Sequence, residues 1–229
     1  MNLRRLIVSL CTRRKAGATE EEWKDVRFSF SQFGEDLLLE HLLPPKGFYV
    51  DVGAYHPVTF SNSWLFSRNG WRGIVVEPNP GMAQLHRRRR PRDIVVESAV
   101  GRREGTVRYL HHPQANNNRI LHPKEKPDAG GKVTQVRQTT LGKILREFLP
   151  KGQAVDLLCV DCEGMDAEVL KGNNWRLAKP RVICAEGKDE DEEKYLTRLL
   201  LVRGYRLQAR AGYSLIYVRG DISKRARNA

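Results

Sequence analysis

The chain has four cysteines in 229 residues, no three-glycine phosphate loop, few aromatics and no apolar run long enough to cross a bilayer. Cys11, Cys159, Cys162 and Cys184 lack the density and spacing of a disulfide framework, which excludes the small cross-linked secreted class. Cys159 and Cys162 form a CxxC, but no second Cys pair or His pair completes a zinc site. That CxxC lies in an apolar run, so buried thiols in a reducing compartment are expected. Residues 6–11 are apolar but too short for a signal core or a membrane span. The chain therefore reads as cytoplasmic, without a transmembrane segment. For this basic N-terminus an amphipathic arm on a partner or an anionic membrane surface is the alternative. Aromatics make up 8% and are not interleaved with the basic clusters, so a base-stacking platform for nucleic acid is not in view.

Positive charge, by contrast, is abundant. Forty Lys and Arg face 27 Asp and Glu, a formal net charge of +13. The clusters are residues 87–90 with Arg92, residues 13–15, and the tail 224–227. Such a balance attracts polyanions, among them nucleic acid, nucleotide-sugars, phosphorylated glycans and anionic lipid. For residues 87–90 the plainer reading, the solvated end of a helix before Pro91, is preferred.

An apolar fraction of 40% and a charged fraction of 29% place the chain with folded proteins, and its length suits one large domain. A basic arm spans residues 1–29, the folded domain 30–220 and a basic tail 221–229. Strands are expected at 47–53, 73–77, 93–97, 154–161 and 181–186, with an extra one at 105–110. Helices are expected at 36–43, 59–69, 80–90, 139–149, 165–170 and 189–203, and a closing hairpin at 205–209 with 213–218. Residues 111–138, polar and rich in Pro, Gly and Asn, read as a long loop and a candidate substrate lid. The alternation implies an α/β fold with a mostly parallel sheet, helices on both faces and an antiparallel C-terminal hairpin.

In such sheets the ligand sits at the carboxyl ends of the strands, near the switch point. Acids recur at those ends: Asp51, Glu77, Glu97, Asp161 with Glu163, and Glu186. Glu77 follows the Gly53 turn by roughly the distance at which an acid meets ribose hydroxyls. The first turn reads Asp51-Val-Gly-Ala-Tyr-His-Pro57, with one glycine where a dinucleotide fingerprint needs three. An acid ahead of that glycine repels a pyrophosphate and suits the cationic amino-acid end of S-adenosylmethionine.

These residues resemble the FkbM-type methyltransferases. The matching segments are Ser31-Gln-Phe-Gly-Glu-Asp36, Gly47-Phe-Tyr-Val-Asp-Val-Gly-Ala54, Phe60-Ser-Asn62 and Gly70-Trp-Arg-Gly-Ile-Val-Val-Glu-Pro-Asn-Pro80. Thr140-Leu141, Val160-Asp-Cys-Glu-Gly164 and residues 180–186 continue the pattern. The resemblance implies a Rossmann-like class I domain with a seven-stranded sheet, using S-adenosylmethionine to methylate a hydroxyl of a sugar, glycan or natural product. It places Asp51, Gly53 and Ala54 at the amino-acid moiety, Glu77 at the ribose, Pro78 and Asn79 beside the adenosine, and Ser98 and Ala99 at the adenine. Gln32, Glu35 and Asp36 are expected to close over the cofactor. Ser61 and Asn62 contact its carboxylate or, alternatively, cap a helix.

Methyl transfer to a hydroxyl calls for alignment and a base or a metal. Asp161, also a cofactor contact, is the first candidate base, then Glu163 and His56. Asp161, Glu163 and Glu186 would be the ligands if Mg²⁺ takes part. Two other classes stay open. A nucleic-acid methyltransferase rests on charge alone and lacks the Asn-Pro-Pro-Tyr-like signature of amino-group methylation. A non-catalytic interaction protein on the same fold sits poorly with intact acids at every strand end.

Overall fold

The structure, a computed structural model, describes residues 26–122 and 124–223. Cys11, the apolar stretch 6–11 and the basic clusters 13–15 and 224–227 lie outside the described residues. No helix among the described residues is long and apolar enough to cross a membrane.

Seven strands form the central sheet. They are β1 (Phe48–Val52), β2 (Arg72–Val76), β3 (Ile94–Val96), β8 (Leu157–Val160), β9 (Val182–Glu186), β10 (Tyr205–Ala211) and β11 (Ser214–Arg219). Their spatial order is β10-β11-β9-β8-β1-β2-β3. Pairing is parallel from β9 to β3. Strand β11 runs antiparallel to both β9 and β10, so the sheet is mixed. The chain builds outward from β1 to β3, then returns to the other side of β1 with β8. That reversal between β1 and β8 is the switch point.

The alternating residues of these strands feed two cores. Val50, Val52, Ile74, Val76, Leu158, Val160 and Ile183 pack with Leu141, Ile144 and Leu145 of helix α4 (Leu141–Phe148) and Val169 and Leu170 of α5 (Asp166–Lys171). Leu196 and Leu200 of α6 (Glu190–Leu201) join that side. Tyr49, Val75, Leu157, Cys159, Val182 and Cys184 face the other way, against Leu39 of α1 (Glu35–Leu42) and Phe66 of α2 (Trp64–Arg68). A strand buried on both faces is apolar at most positions, so β1, β2 and β8 read as near-continuous apolar runs, broken by the buried Asp51 in β1 and the exposed Arg72 that opens β2. Of the CxxC pair expected to be buried, Cys159 is a buried free thiol whereas Cys162 is only partly buried; Cys184 is also a buried free thiol.

Three expectations are corrected. Helix α2 begins at Trp64 rather than near residue 59. Residues ahead of it turn sharply, with Phe60 at φ 58, and a bulky residue at positive φ cannot continue a helix. The strand at 105–110 does not join the central sheet. As β5 (Gly105–His111) it belongs to a second sheet with β4 (Ala99–Gly101), β6 (Arg119–Ile120) and β7 (Lys132–Thr140), in the order β4-β7-β5-β6. The expected loop at 111–138 is consequently part strand. Its last quarter, Lys-Val-Thr-Gln-Val-Arg-Gln, pairs antiparallel with β5 from Lys132 through Gln138. Thr140 Oγ1 then caps α4 by accepting the Lys143 N–H at 3.2 Å.

Candidate active site

A cleft of about 430 Å³ opens where β1, β2, β8 and β9 end. Its tightest point is the turn after β1. Gly53 has φ +78, and a Cβ there would lie 1.8 Å from the Asp161 carbonyl oxygen. Only glycine lets the β1 and β8 turns approach this closely.

Glu77 closes β2 as a buried acid, 4% exposed. Its carboxylate accepts the Tyr55 N–H at 2.9 Å and the Asn79 N–H at 2.7 Å. Burial pushes its pKa up to about 7 against the pull of those two donors. Behind it, burial holds His86 down to about 3, so the ring is neutral. His86 Nε2 lies 3.1 Å from the Tyr55 carbonyl and donates to it.

Asp51, also buried, accepts the Ser63 hydroxyl. Ser63 lies next to a fully enclosed Arg90, whose Nη2 donates to Ser63 Oγ at 3.0 Å. Within the 87–90 run, Arg87, Arg88 and Arg89 are solvated as expected, but Arg90 is 2% exposed. The last residue of the run, past the end of α3 (Pro80–Arg89), turns inward to carboxylates the sequence keeps far apart.

Across the cleft, Asp161 follows β8 and carries no side-chain hydrogen bond among the described residues. Asp161 is itself exposed to the cleft, but desolvation by the surrounding protein, and then the carboxylates of Glu186, Asp166 and Glu163, raise it well above the usual carboxylate range. Oxygens of Asp161, Glu163 and Glu186 all lie within 4.8 Å of one another. Lys188 enters this group: its ammonium pairs with Glu163 and lies 3.6 Å from Glu186. Two of the three carboxylates therefore already share a cation supplied by the chain, and a divalent ion drawn to all three would compete with Lys188. We expect turnover to be insensitive to excess EDTA and to added Mg²⁺. A stimulation by Mg²⁺ that EDTA reverses would show that Lys188 yields.

Among the described residues, three non-glycine positions have positive φ: Tyr55 (47), Phe60 (58) and Glu163 (52). All three line the cleft. Strained backbone persists where its surroundings over-determine it, and such sites are commonly functional.

Of the expected site residues, Gln32, Asp51, Gly53, Ala54, Ser61, Asn62, Glu77, Pro78, Ser98, Ala99, Asp161, Glu163 and Glu186 line one cleft. Four do not. Asp36 is turned inward, accepting the Ser29 and Ser31 hydroxyls and the Phe30 N–H. Glu35 accepts the Phe33 N–H and the Ser214 hydroxyl, which ties the 31–36 segment to β11. Asn79 caps α3, its Oδ1 accepting the Gly81 N–H at 2.9 Å. His56 holds its own turn, Nδ1 accepting from Val58 and Thr59. Each makes a local bond that a short polar side chain satisfies more readily than a distant ligand.

Sequence reasoning missed Lys188, Cys162, Phe60, Tyr213 and Tyr109, all of which line the cleft. Lys188 was within reach of the strand-end rule, two residues past Glu186. The 116–120 stretch, part of the 111–138 candidate substrate segment, also lines the cleft, carried there by a second sheet. A second cavity of about 620 Å³ adjoins, between that sheet and residues 163–165. It shares Arg119, Ile120 and Glu163 with the first.

A family model described as "Methyltransferase FkbM domain" matches residues 51–207. No curated protein matches the chain. Among solved structures, the methyltransferase FkbM from Methylobacillus flagellatus KT is similar at 15% identity with a TM-score of 0.48. The match covers 86% of this chain and 46% of that one, so this chain spans less than half its length. The precorrin-6y C5,15-methyltransferase from Geobacter metallireducens GS-15 is similar at 16% identity and TM-score 0.45, covering 81% of this chain and 88% of that one. The O-methyltransferase from Bacillus cereus, solved in complex with SAH, gives 12% identity, TM-score 0.44 and coverage of 93% and 88%.

Proposed function

This chain belongs to the FkbM methyltransferase family, and we propose that it transfers the methyl group of S-adenosylmethionine to a hydroxyl of a sugar, glycan or natural product. The observation that carries the cofactor reading is the pairing of Glu77 with the Gly53 turn. Glu77 is buried, already takes two backbone N–H bonds, and faces a turn that admits no side chain. A pair of ribose hydroxyls fits that carboxylate as donors. Asp51, on the far side of the same turn, suits an ammonium and repels a phosphate. Pro78, Ser98 and Ala99 form the wall left for an adenine. The catalytic unit in this reading is residues 30–220.

When bound, the cofactor supplies an electrophilic methyl on a sulfonium sulfur. The chain's part is to align the acceptor oxygen and take its proton. Asp161 is the base in this reading. It faces the cleft, its side chain carries no hydrogen bond among the described residues, and its raised pKa strengthens it as a proton acceptor. Glu163, pinned by Lys188, serves better to orient that cation than to move protons. The acceptor enters from the second sheet, where residues 116–120 and the adjoining cavity meet the Asp161 turn. The oxygen as acceptor atom rests on this base and on the absence of an amino-group signature.

Calorimetric titration with S-adenosylhomocysteine tests the cofactor site. Wild type is expected to bind one equivalent, and Glu77→Ala to lose at least about 100-fold in affinity, the scale of two lost charge-assisted hydrogen bonds. The sign of the pH effect follows from Glu77. Only its ionised form accepts hydroxyl donors well, so affinity rises as pH passes up through about 7. Well-folded wild type that binds neither this ligand nor S-adenosylmethionine would overturn the reading.

A further inference from the structure

We propose that Arg90 is a positioning residue for the cofactor's ammonium: acting through Ser63, it aims and polarises the Asp51 carboxylate. The proposal rests on the cofactor reading above and adds a residue that touches neither ligand nor cleft.

Arg90 sits in a closed polar network. Its Nε donates to Asp93 Oδ2 at 2.7 Å, and its Nη2 donates to the Tyr49 hydroxyl at 2.7 Å and to Ser63 Oγ at 3.0 Å. Its guanidinium carbon lies 5.1 Å from the centre of the Tyr49 ring. Tyr49 in turn donates to Asp93 Oδ2 at 2.6 Å. One guanidinium thus serves two carboxylates, and it serves them unequally. Asp93 receives a direct ion pair with both side chains fully enclosed. Asp51 is reached only across Ser63.

That intermediary decides what Asp51 can do. A serine hydroxyl has one proton to donate. Because Arg90 donates into Ser63 Oγ, the hydroxyl proton is directed at Asp51. Ser63 stands at the N-cap of α2 yet makes no capping bond to the helix. The Trp64 N–H is taken by Ser61 Oγ instead, at 3.1 Å. Ser63 has therefore given up the usual work of a serine at that position, and its hydroxyl is committed to Asp51. A direct Arg90–Asp51 pair would neutralise the acid and leave it little pull on a cationic ligand. The relayed arrangement favours the ionised form while leaving its charge uncompensated.

The charge balance points the same way. Burial raises Asp51 above the ordinary carboxylate range; Arg90 and then the Ser63 hydrogen bond oppose this, and Asp93 adds to it. Asp51 also faces Glu77 from β2 and the thiols of Cys159, Cys162 and Cys184 from β8, its turn and β9. Arg90 is the one cation in that set. Without the relay the carboxyl is expected to hold its proton to a higher pH than in wild type.

The experiment compares two ligands by calorimetry from about pH 6 to about pH 8.5, a span around the neutral range. S-adenosylhomocysteine carries the ammonium; 5′-methylthioadenosine shares its nucleoside and lacks that group. Ser63→Ala is expected to weaken S-adenosylhomocysteine about ten-fold at neutral pH, the value of one hydrogen bond to a charged group. The loss should shrink as pH rises and Asp51 ionises. Methylthioadenosine affinity should stay at the wild-type value throughout, since it reports only the Glu77 side. Ser63→Thr, which keeps the hydroxyl, should restore binding. Ser63→Cys, nearly isosteric with a weak donor, should fall between and gives an independent reading should the alanine variant unfold. Equal losses for both ligands, or a loss independent of pH, would make the network a structural brace only and overturn the proposal. Wild type binding neither ligand would sink the cofactor reading, and the proposal with it.

Discussion

Replacing Asp161 by asparagine is expected to lower turnover by about 10²- to 10⁴-fold, the usual contribution of a positioned base, while S-adenosylhomocysteine binds within a few-fold of wild type. The substitution keeps the volume and one carbonyl oxygen, so packing against the Gly53 turn is preserved. What it removes is the proton acceptor. In wild type the rate should climb with pH and level off on the alkaline side. The reason is that Asp161 acts only once deprotonated, and desolvation with three neighbouring carboxylates raises its pKa. Single-turnover measurements with radiolabelled cofactor, once an acceptor is in hand, separate this from a binding defect. Turnover surviving in Asp161→Asn would dismiss it as base. Lost cofactor affinity with turnover unchanged at saturation would make it a cofactor ligand only.

The crowding around Asp161 has a structural counterpart in Asp166. This acid is 3% exposed and accepts the Cys162 N–H at 3.1 Å and the Glu186 N–H at 2.9 Å. It thereby ties the turn after β8 to the end of β9, the two segments that carry Asp161 and Glu186. Burial pushes Asp166 up to about 8 despite both donors. Cationic help on this side of the cleft comes from Lys188, already shared between Glu163 and Glu186. The site thus keeps a surplus of acid where an acceptor proton has to go.

How much of this was legible in the sequence depends on what each residue answers to. Gly53 and Glu77 answer to a local rule, a turn and a strand end at a fixed separation, and both fall where expected. The apolar runs of β1, β2 and β8 are legible because burial on both faces leaves little room for polar residues, so that Asp51 stands out in β1. Arg90 is not legible, because it stands in a run of four arginines, three of them solvated, and only the chain's direction after α3 separates it from the others. The β7 strand was hidden by its neighbours: Pro, Asn and Gly between residues 112 and 131 suggest a loop and mask the alternation that follows. Glu35, Asp36, Asn79 and His56 sit in the right motifs, yet their side chains turn to nearby N–H and hydroxyl groups. A motif locates such residues without saying which way they point.

Gly53→Ala is the substitution expected to do the most damage. Two effects add. The backbone at φ +78 disfavours any L side chain, and the new Cβ would meet the Asp161 carbonyl oxygen at 1.8 Å, with the Cys162 sulfur at 3.2 Å. The first is backbone, and the second is a thiol tied to the Val52 carbonyl at 3.6 Å. Asp161 is held by its own N–H donating to the Val52 carbonyl at 3.0 Å, and Gly53 by its N–H to the Val76 carbonyl at 3.0 Å. Making room therefore means parting β1 from β8 at the switch point, where both hydrophobic cores are fixed. A loss of more than about 3 kcal/mol is expected for a strained, overpacked backbone site, read as a fall in thermal midpoint. Any protein that still folds should lose S-adenosylhomocysteine binding, because the displacement separates Asp51 and Glu77 from Asp161. Wild-type melting together with wild-type affinity would mean that the β1 and β8 turns do not meet at Gly53, and the geometry assigned to the cofactor and the base would fall with that contact.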